Sequence, residues 1–312
     1  MELDSVGILL TYQCPIACRH CYISCGPHRK TVIDLDLAER LLRQIKEIGL
    51  TGMNVHIGGG EAFLHFDRLL EVLEIAARLD MLPIDWVETN CFWCVSDRVA
   101  RERLSALKDA GVYRIWISSD PHHQEFVPIE NVIRAHTHSL EIFGLARTTV
   151  SDNNYLADPA RSNDLDAYVN SAPPMLMGRA YQCLRQYLPR QPLAEIPRQG
   201  CGDRIDPREM EYVHVNPDGT VMASNCSGVI IGDARDATLA DLHGGDAWRQ
   251  NDILRVLADD GPVGLLGIAP GFTPKATYAQ KCELCWEIRS SLASTYPQTL
   301  GPRECYQPPR GH

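Results

Sequence analysis

The sequence lacks any apolar run approaching the length of a membrane span, so no transmembrane helix is expected. It also lacks an excess of positive charge. A formal net charge of −10 argues against a protein whose affinity comes from many phosphate contacts, although a local basic pocket stays possible. Neither nucleic acid nor a membrane is therefore an expected partner. Met1-Glu2-Leu3-Asp4 has neither the basic region nor the apolar core of a signal peptide, and there are no internal repeats or low-complexity tracts. What is present is a chain of 312 residues, 45% of them hydrophobic, enough for one large domain or a large one plus a small one. Twelve cysteines is a high number without an export signal. Reducing conditions keep thiols unpaired, so clustered cysteines read as metal ligands and the expected compartment is cytoplasmic.

Three of the thiols stand close together in Cys14-Pro15-Ile16-Ala17-Cys18-Arg19-His20-Cys21-Tyr22, just beyond the apolar run Val6 to Leu10. A cubic four-iron cluster takes one thiolate per iron, so three closely spaced cysteines can hold one and leave an iron open. The same residues could instead bind zinc with a fourth ligand, His20 or Cys25, or be small buried hydrophobes.

The C-x3-C-x2-C spacing with Arg-His-Cys-Tyr resembles the radical S-adenosylmethionine (radical SAM) superfamily. The resemblance implies a [4Fe-4S] cluster on Cys14, Cys18 and Cys21 whose open iron is chelated by SAM, with Tyr22 beside it. It covers Val6 to Val150 well and the C-terminal third loosely.

Helical spacing of Leu37, Leu41, Ile45 and Ile48 predicts a helix over Ile33 to Leu50. Strands are expected at Met53–Ile57, Ile84–Glu88, Tyr113–Ser118 and Leu145–Val150, with helices at Asp67–Leu79, from the Ser96 cap to Gly111, and at Val132–Phe143. Such alternation means βα units and a parallel sheet. The thiols, Gly58-Gly59-Gly60-Glu61, Thr89-Asn90 and Ser118-Ser119-Asp120 all fall at C-terminal strand ends, which converge on one mouth in a parallel barrel. The expected fold is α/β, a partial (β/α)6 TIM-like barrel with a small cysteine-bearing extension. The barrel core is placed at 1–199 and the extension at 200–312. In the latter, Tyr212–Asn216, Pro217-Asp218-Gly219 and Thr220–Ala223 read as a hairpin, and Leu239–Leu257 and Cys285–Thr295 as helices.

Gly59, Gly60 and Glu61 match the family's G-G-E-P motif except that Ala62 replaces proline. Glycines allow close backbone approach, and the carboxylate can accept hydrogen bonds from an ammonium group; the resemblance assigns that to SAM. Asn90 resembles the family's Thr-Asn-Gly, with Cys91 in place of the glycine. Ser118 and Asp120 could hydrogen-bond a ribose, and Arg147 could pair with the SAM carboxylate; Asp120 could equally cap the turn at Pro121, and Arg147 be a surface residue. His122 and His123 are read as loop histidines and left out of the site. Cys91 and Cys94 read as core packing or a substrate-side pair.

Cys201, Cys226, Cys282 and Cys285 resemble the twitch extension, a shortened relative of the SPASM domain, and the resemblance implies an auxiliary iron–sulfur cluster. Gly219 lies farther from Cys226 than usual, and Cys183 or Cys305 could replace one ligand. A zinc knot is the other reading. The expected function is reductive cleavage of SAM to a 5′-deoxyadenosyl radical that abstracts hydrogen from a substrate, with a flavodoxin or ferredoxin as one-electron donor. A ribosomally made peptide is the first substrate expectation, weighed against the absence of a peptide-recognition domain before the barrel. A small-molecule metabolite is the second, and a non-catalytic metal protein the reading of another class.

Overall fold

The computed structural model describes residues 3–162, 164–207 and 209–307. Side chains alternate cleanly along its strands β1 (Ser5–Thr11), β2 (Val55–Gly59), β3 (Ile84–Thr89), β4 (Val112–Ile117) and β5 (Thr148–Val150). Val6, Ile8, Leu10, Val55, Ile57, Val87, Ile115 and Ile117 are fully buried and join one hydrophobic core with the helices. Their neighbours Ser5, Leu9, His56, Trp86, Glu88 and Trp116 line a cavity instead. Period-two alternation puts successive residues on opposite faces, so one face packs the helix layer and the other makes a polar and aromatic lumen.

The helices are α1 (Leu35–Glu47), α2 (Phe66–Arg78), α3 (Asp97–Asp109), the single turn α4 (Pro121–Gln124) and α5 (Ile129–Ile142). Leu37, Leu41 and Ile45 form the buried stripe of α1, as their spacing predicts. Asp34 caps α1 by accepting from Leu37 N at 2.7 Å, and Ser96 caps α3 by accepting from Val99 N at 3.4 Å. The expected helix over Leu239–Leu257 is broken into Leu239–Gly244, a 3₁₀ turn Ala247–Gln250 and Asp252–Asp259. Gly244-Gly245 interrupts it, and Asn251 caps the last piece by accepting from Ile253 N and Leu254 N.

After the two-residue strand β6 (Gln191–Pro192) come β7 (Tyr212–Val215), β8 (Thr220–Met222) and β9 (Ile230–Asp233); β10 (Thr277–Tyr278) pairs with β6. The main sheet runs β5-β4-β3-β2-β1-β7-β8-β9. Its first six strands are parallel, so the partial barrel of six parallel strands is present. The sixth strand, however, is β7, the first arm of the expected hairpin, and it lies beside β1 rather than β5. Gly219 turns that hairpin at φ +90°, a conformation glycine adopts without penalty. Because β7 extends the barrel sheet, the core that contains Leu3 and Val6 also contains Ile253, Leu284 and Leu300. No helix among the described residues is long and apolar enough to cross a membrane.

Candidate active site

The loop after β1 carries the three thiols, and Cys14, Cys18 and Cys21 all face one cavity of about 570 Å³ at the C-terminal ends of the strands. Cys14 and Cys18 are each 5% exposed. Burial raises the Cys14 thiol, and the Glu61 carboxylate and the other two thiols add to the rise. Cys21 moves the other way, down to about 5, because hydrogen bonding from Cys25 and the positive Arg179 favour its thiolate. Asn90 Nδ2 reaches Cys14 Sγ at 3.5 Å.

Arg179 gives the sequence no signal but ties the loop down. It is 8% exposed, and its guanidinium donates to the carbonyls of Cys18 (3.0 Å) and Cys25, while its backbone N–H donates to Cys21 O at 3.1 Å. The close approach depends on Gly178, where a Cβ would stand 2.2 Å from Tyr22 O.

Glu61 is 2% exposed and already receives three donors: Thr89 Oγ1 at 2.9 Å, Phe63 N at 3.1 Å and Asn90 N at 2.7 Å. Burial still lifts its pKa to about 7 against those donors. The carboxylate thus clips the ends of β2 and β3 together and faces the cavity with the lone pairs that remain. Gly59 and Gly60 line the same cavity, but what forbids a side chain there is backbone: a Cβ would meet Thr11 O at 2.5 Å and Gln13 O at 2.3 Å. Cys91, where the family has glycine, sits at φ +65°, a left-handed conformation costing about 1 kcal/mol for a residue with a Cβ. Its side chain and that of Cys94 are fully buried in the core, outside the cavity lining.

Tyr22, Asn90 and Ser118 line the cavity with the thiols. Asp120 does not, because it caps α4: it accepts from His122 N and His123 N and pairs with His123 Nδ1 at 2.6 Å. Arg147 is a correction. The strand expected from Leu145 begins only at Thr148, so Arg147 lies in a 3₁₀ turn at the N-terminal end of β5, away from the mouth. Its exposed guanidinium rests on the Tyr113 ring at 4.2 Å. The two histidines read as loop residues are a second correction: His122 is 5% exposed, and His123 lines the cavity. Their rings both lie 4.8 Å from His20. Among the described residues, the one set of three potential ligands with atoms within 4.8 Å of one another is Cys18, His20 and His123.

The four C-terminal thiols also come within electrostatic reach of one another. Burial pushes Cys226 up to about 12, with Arg289 opposing and Cys285, Cys282 and Cys201 adding; Cys282 rises to about 11, first through burial. Cys282 and Cys285 share the first turn of the helix Lys281–Leu292, which begins earlier than its sequence pattern suggests. Cys305 borders Arg29 and Ser227 and packs in one cluster with Cys226, while Cys183 borders Arg179 and Arg19. A tetrahedral zinc site would hold its sulfurs about 3.8 Å apart. Among the described residues, no three of these four thiols have ligand atoms within 4.8 Å of one another. Arg289 is fully buried beside them. It donates to Ser227 O at 2.8 Å and bonds the Tyr306 hydroxyl at 3.0 Å, while its Nε and Nη2 have no geometric hydrogen-bond partner among the described residues. The guanidinium lies against Cys285, Trp286 and Tyr306, and thiolates beside it would offset the cost of burying its charge.

Sequence reasoning missed the lumen under the mouth. His56, Trp86, Glu88, Trp116, Tyr212, His214 and Asn225 line it. Its signal was present as polar and aromatic residues at alternate positions of strands otherwise rich in valine and isoleucine.

Residues 8–143 match the family model described as Radical SAM superfamily. Among solved structures, the chain resembles BtrN in complex with AdoMet and 2-DOIA at 14% identity and a TM-score of 0.52, over 84% of this chain and 91% of that one. It also matches anSMEcpe with bound AdoMet and Cp18Cys peptide at 11% identity and a TM-score of 0.47, over 93% of this chain and 97% of that one. No curated protein matches it in sequence.

Proposed function

Residues 8–143 match the radical SAM superfamily model, and from that match we propose that the chain is an enzyme of this superfamily that cleaves SAM reductively to start a hydrogen abstraction. The observation that carries the reading is three thiols facing one cavity beside a buried carboxylate, with Asn90 on Cys14. Cys14, Cys18 and Cys21 would hold a [4Fe-4S] cluster and leave one iron for SAM. When bound and reduced by the external donor, the cluster would supply one electron to the SAM sulfonium, whose C–S cleavage would give methionine and a 5′-deoxyadenosyl radical able to take a hydrogen atom from substrate.

The chain's own residues do the rest. Arg179 holds the loop by its carbonyls, and the pull on Cys21 favours the thiolate a metal needs. Glu61, anchored by Thr89 and Asn90, offers its remaining lone pairs to the SAM ammonium, and Tyr22, Asn90 and Ser118 wall the same space. Cys201, Cys226, Cys282 and Cys285 would hold the auxiliary, twitch-like cluster, with Arg289 as buried counter-charge. The electron donor would be a flavodoxin or ferredoxin. The substrate would be a small molecule that enters the lumen of about 570 Å³, with a ribosomally made peptide as the alternative.

The test is anaerobic purification, iron and sulfide quantitation, then dithionite with SAM. Release of 5′-deoxyadenosine is expected. Its absence from iron-loaded protein would overturn the reading. The proximity of Cys18, His20 and His123 favours one rival, a zinc site there. It would leave Cys14 and Cys21 without a role, and stoichiometric zinc in place of iron would establish it.

A further inference from the structure

Below the thiol loop, the lumen presents hydrogen-bond acceptors that no ion pair among the described residues includes. Glu88 projects into it from β3, and a Cβ on Gly58 would come within 2.8 Å of Glu88 Oε2, so the carboxylate lies flat over β2. Trp86 Nε1 donates to Glu88 Oε1 at 3.2 Å. Among the described residues no other donor reaches the carboxylate and no ion pair includes it. His123, the base whose charge acts on it, is already paired with Asp120 at 2.6 Å. Burial raises the Glu88 pKa, the direction for a carboxylate lacking a counter-charge.

The second acceptor follows from tautomer logic. His214 Nδ1 lies 3.0 Å from the Ser224 carbonyl, so it carries the proton, and His214 Nε2 is left as an acceptor. His56 Nε2 approaches that atom at 3.1 Å and must be the donor. His56 Nδ1 is then a bare acceptor, and it is buried with no partner. The pair sits over Gly7, where any Cβ would collide with both rings. Trp86 stacks on His56 with centroids 4.4 Å apart, while Trp116 and Tyr212 complete an aromatic wall.

Arg114 already lies over the Trp86 ring at 5.1 Å, but two unfilled acceptors with the Trp116 and Tyr212 rings beside them select a ligand rich in donors and positively charged. We propose that this lumen is the substrate pocket and takes a small amino alcohol, its ammonium on the Glu88 carboxylate and its hydroxyl on His56 Nδ1. The proposal rests on the radical reading for what becomes of the ligand, but not for its binding.

The test is calorimetry on the iron-loaded protein with 2-aminocyclohexanol, cyclohexane-1,2-diol and 2-hydroxycyclohexanecarboxylate as cationic, neutral and anionic probes. The amino alcohol should bind saturably at millimolar concentration, and the other two roughly tenfold or more weakly. Glu88→Gln should erase that preference and Glu88→Asp should keep it. If Glu88→Gln does not fold, Trp116→Leu at the partly exposed wall and the wild-type probe series decide: the amino alcohol should weaken most. Equal binding of the diol, tighter binding of the acid, or no saturable binding of the amino alcohol overturns the proposal. Amine binding without deoxyadenosine release sinks the radical reading and leaves the pocket; release without amine binding does the reverse.

Discussion

Cys14, Cys18 and Cys21 come from one short loop and face a cavity, whereas Cys201, Cys226, Cys282 and Cys285 come from three segments far apart in sequence and gather against the shared core. The first set has one thiolate too few for a four-iron cluster and space in front of it; the second has a full complement and a buried arginine behind it. On the proposed reading, that contrast separates a site where chemistry would happen from one that would hold and tune a second cluster. The two are not independent bodies, because β7 of the later segment pairs with β1 and His214 meets His56 across Gly7.

The largest effect should come from Cys18→Ala, which removes a thiol from the open set alone. Deoxyadenosine formation should vanish and the iron content fall by about half, while the C-terminal set keeps its iron. Loss of all iron would show that the two sites assemble as one. Arg289→Met tests the closed set. Removing a buried cation beside an anionic centre makes reduction harder, so its potential should drop on the order of tens of millivolts, read by an EPR-monitored redox titration. An unchanged potential would mean that Arg289 serves packing only.

Gly7→Ala attacks the seam. The added methyl would stand 2.3 Å from His214 Cδ2 and 2.5 Å from His56 Nε2, and overpacking of this kind costs about 2 kcal/mol. A single lowered urea midpoint is expected; two separate transitions would show that the regions unfold apart. The same seam should respond to pH. Burial, and then the neighbouring His214, hold His56 down at about 3, so it stays neutral in the fold while the unfolded chain takes up a proton below about 6.5. Its contribution is complete above that pH and fades as pH falls toward 3, with about 2 kcal/mol gone by pH 5. His56→Leu should flatten this dependence in denaturation curves measured across that range.

The thiol triplet was legible because its ligands are sequence neighbours, and Glu61 and Asn90 because they follow strands whose ends must converge. Period-two alternation and helix caps likewise gave β1 to β4 and α1 to α3 within a few residues. Arg147 was misplaced because a 3₁₀ turn shortened β5, which moved the residue from the strand to the wrong end of the sheet. His123 was left out because its burial depends on Asp120 and His20, one a local cap and the other a distant loop residue. The sixth parallel strand was read as one arm of a hairpin, and its local pattern was right. Nothing in Tyr212–Val215 says that its outer edge will pair with β1.

By itself the sequence determined the chemistry available, a set of closely spaced thiols, a carboxylate after a glycine run and an alternating βα chain, since these are properties of neighbouring residues and of backbone periodicity. Only the tertiary structure decided which distant groups meet: Arg179 on the thiol loop, Arg289 beside the four later cysteines, and His56 against His214 over a glycine. Those meetings depend on how strands pair and curl, and pairing is chosen by burial across the whole chain.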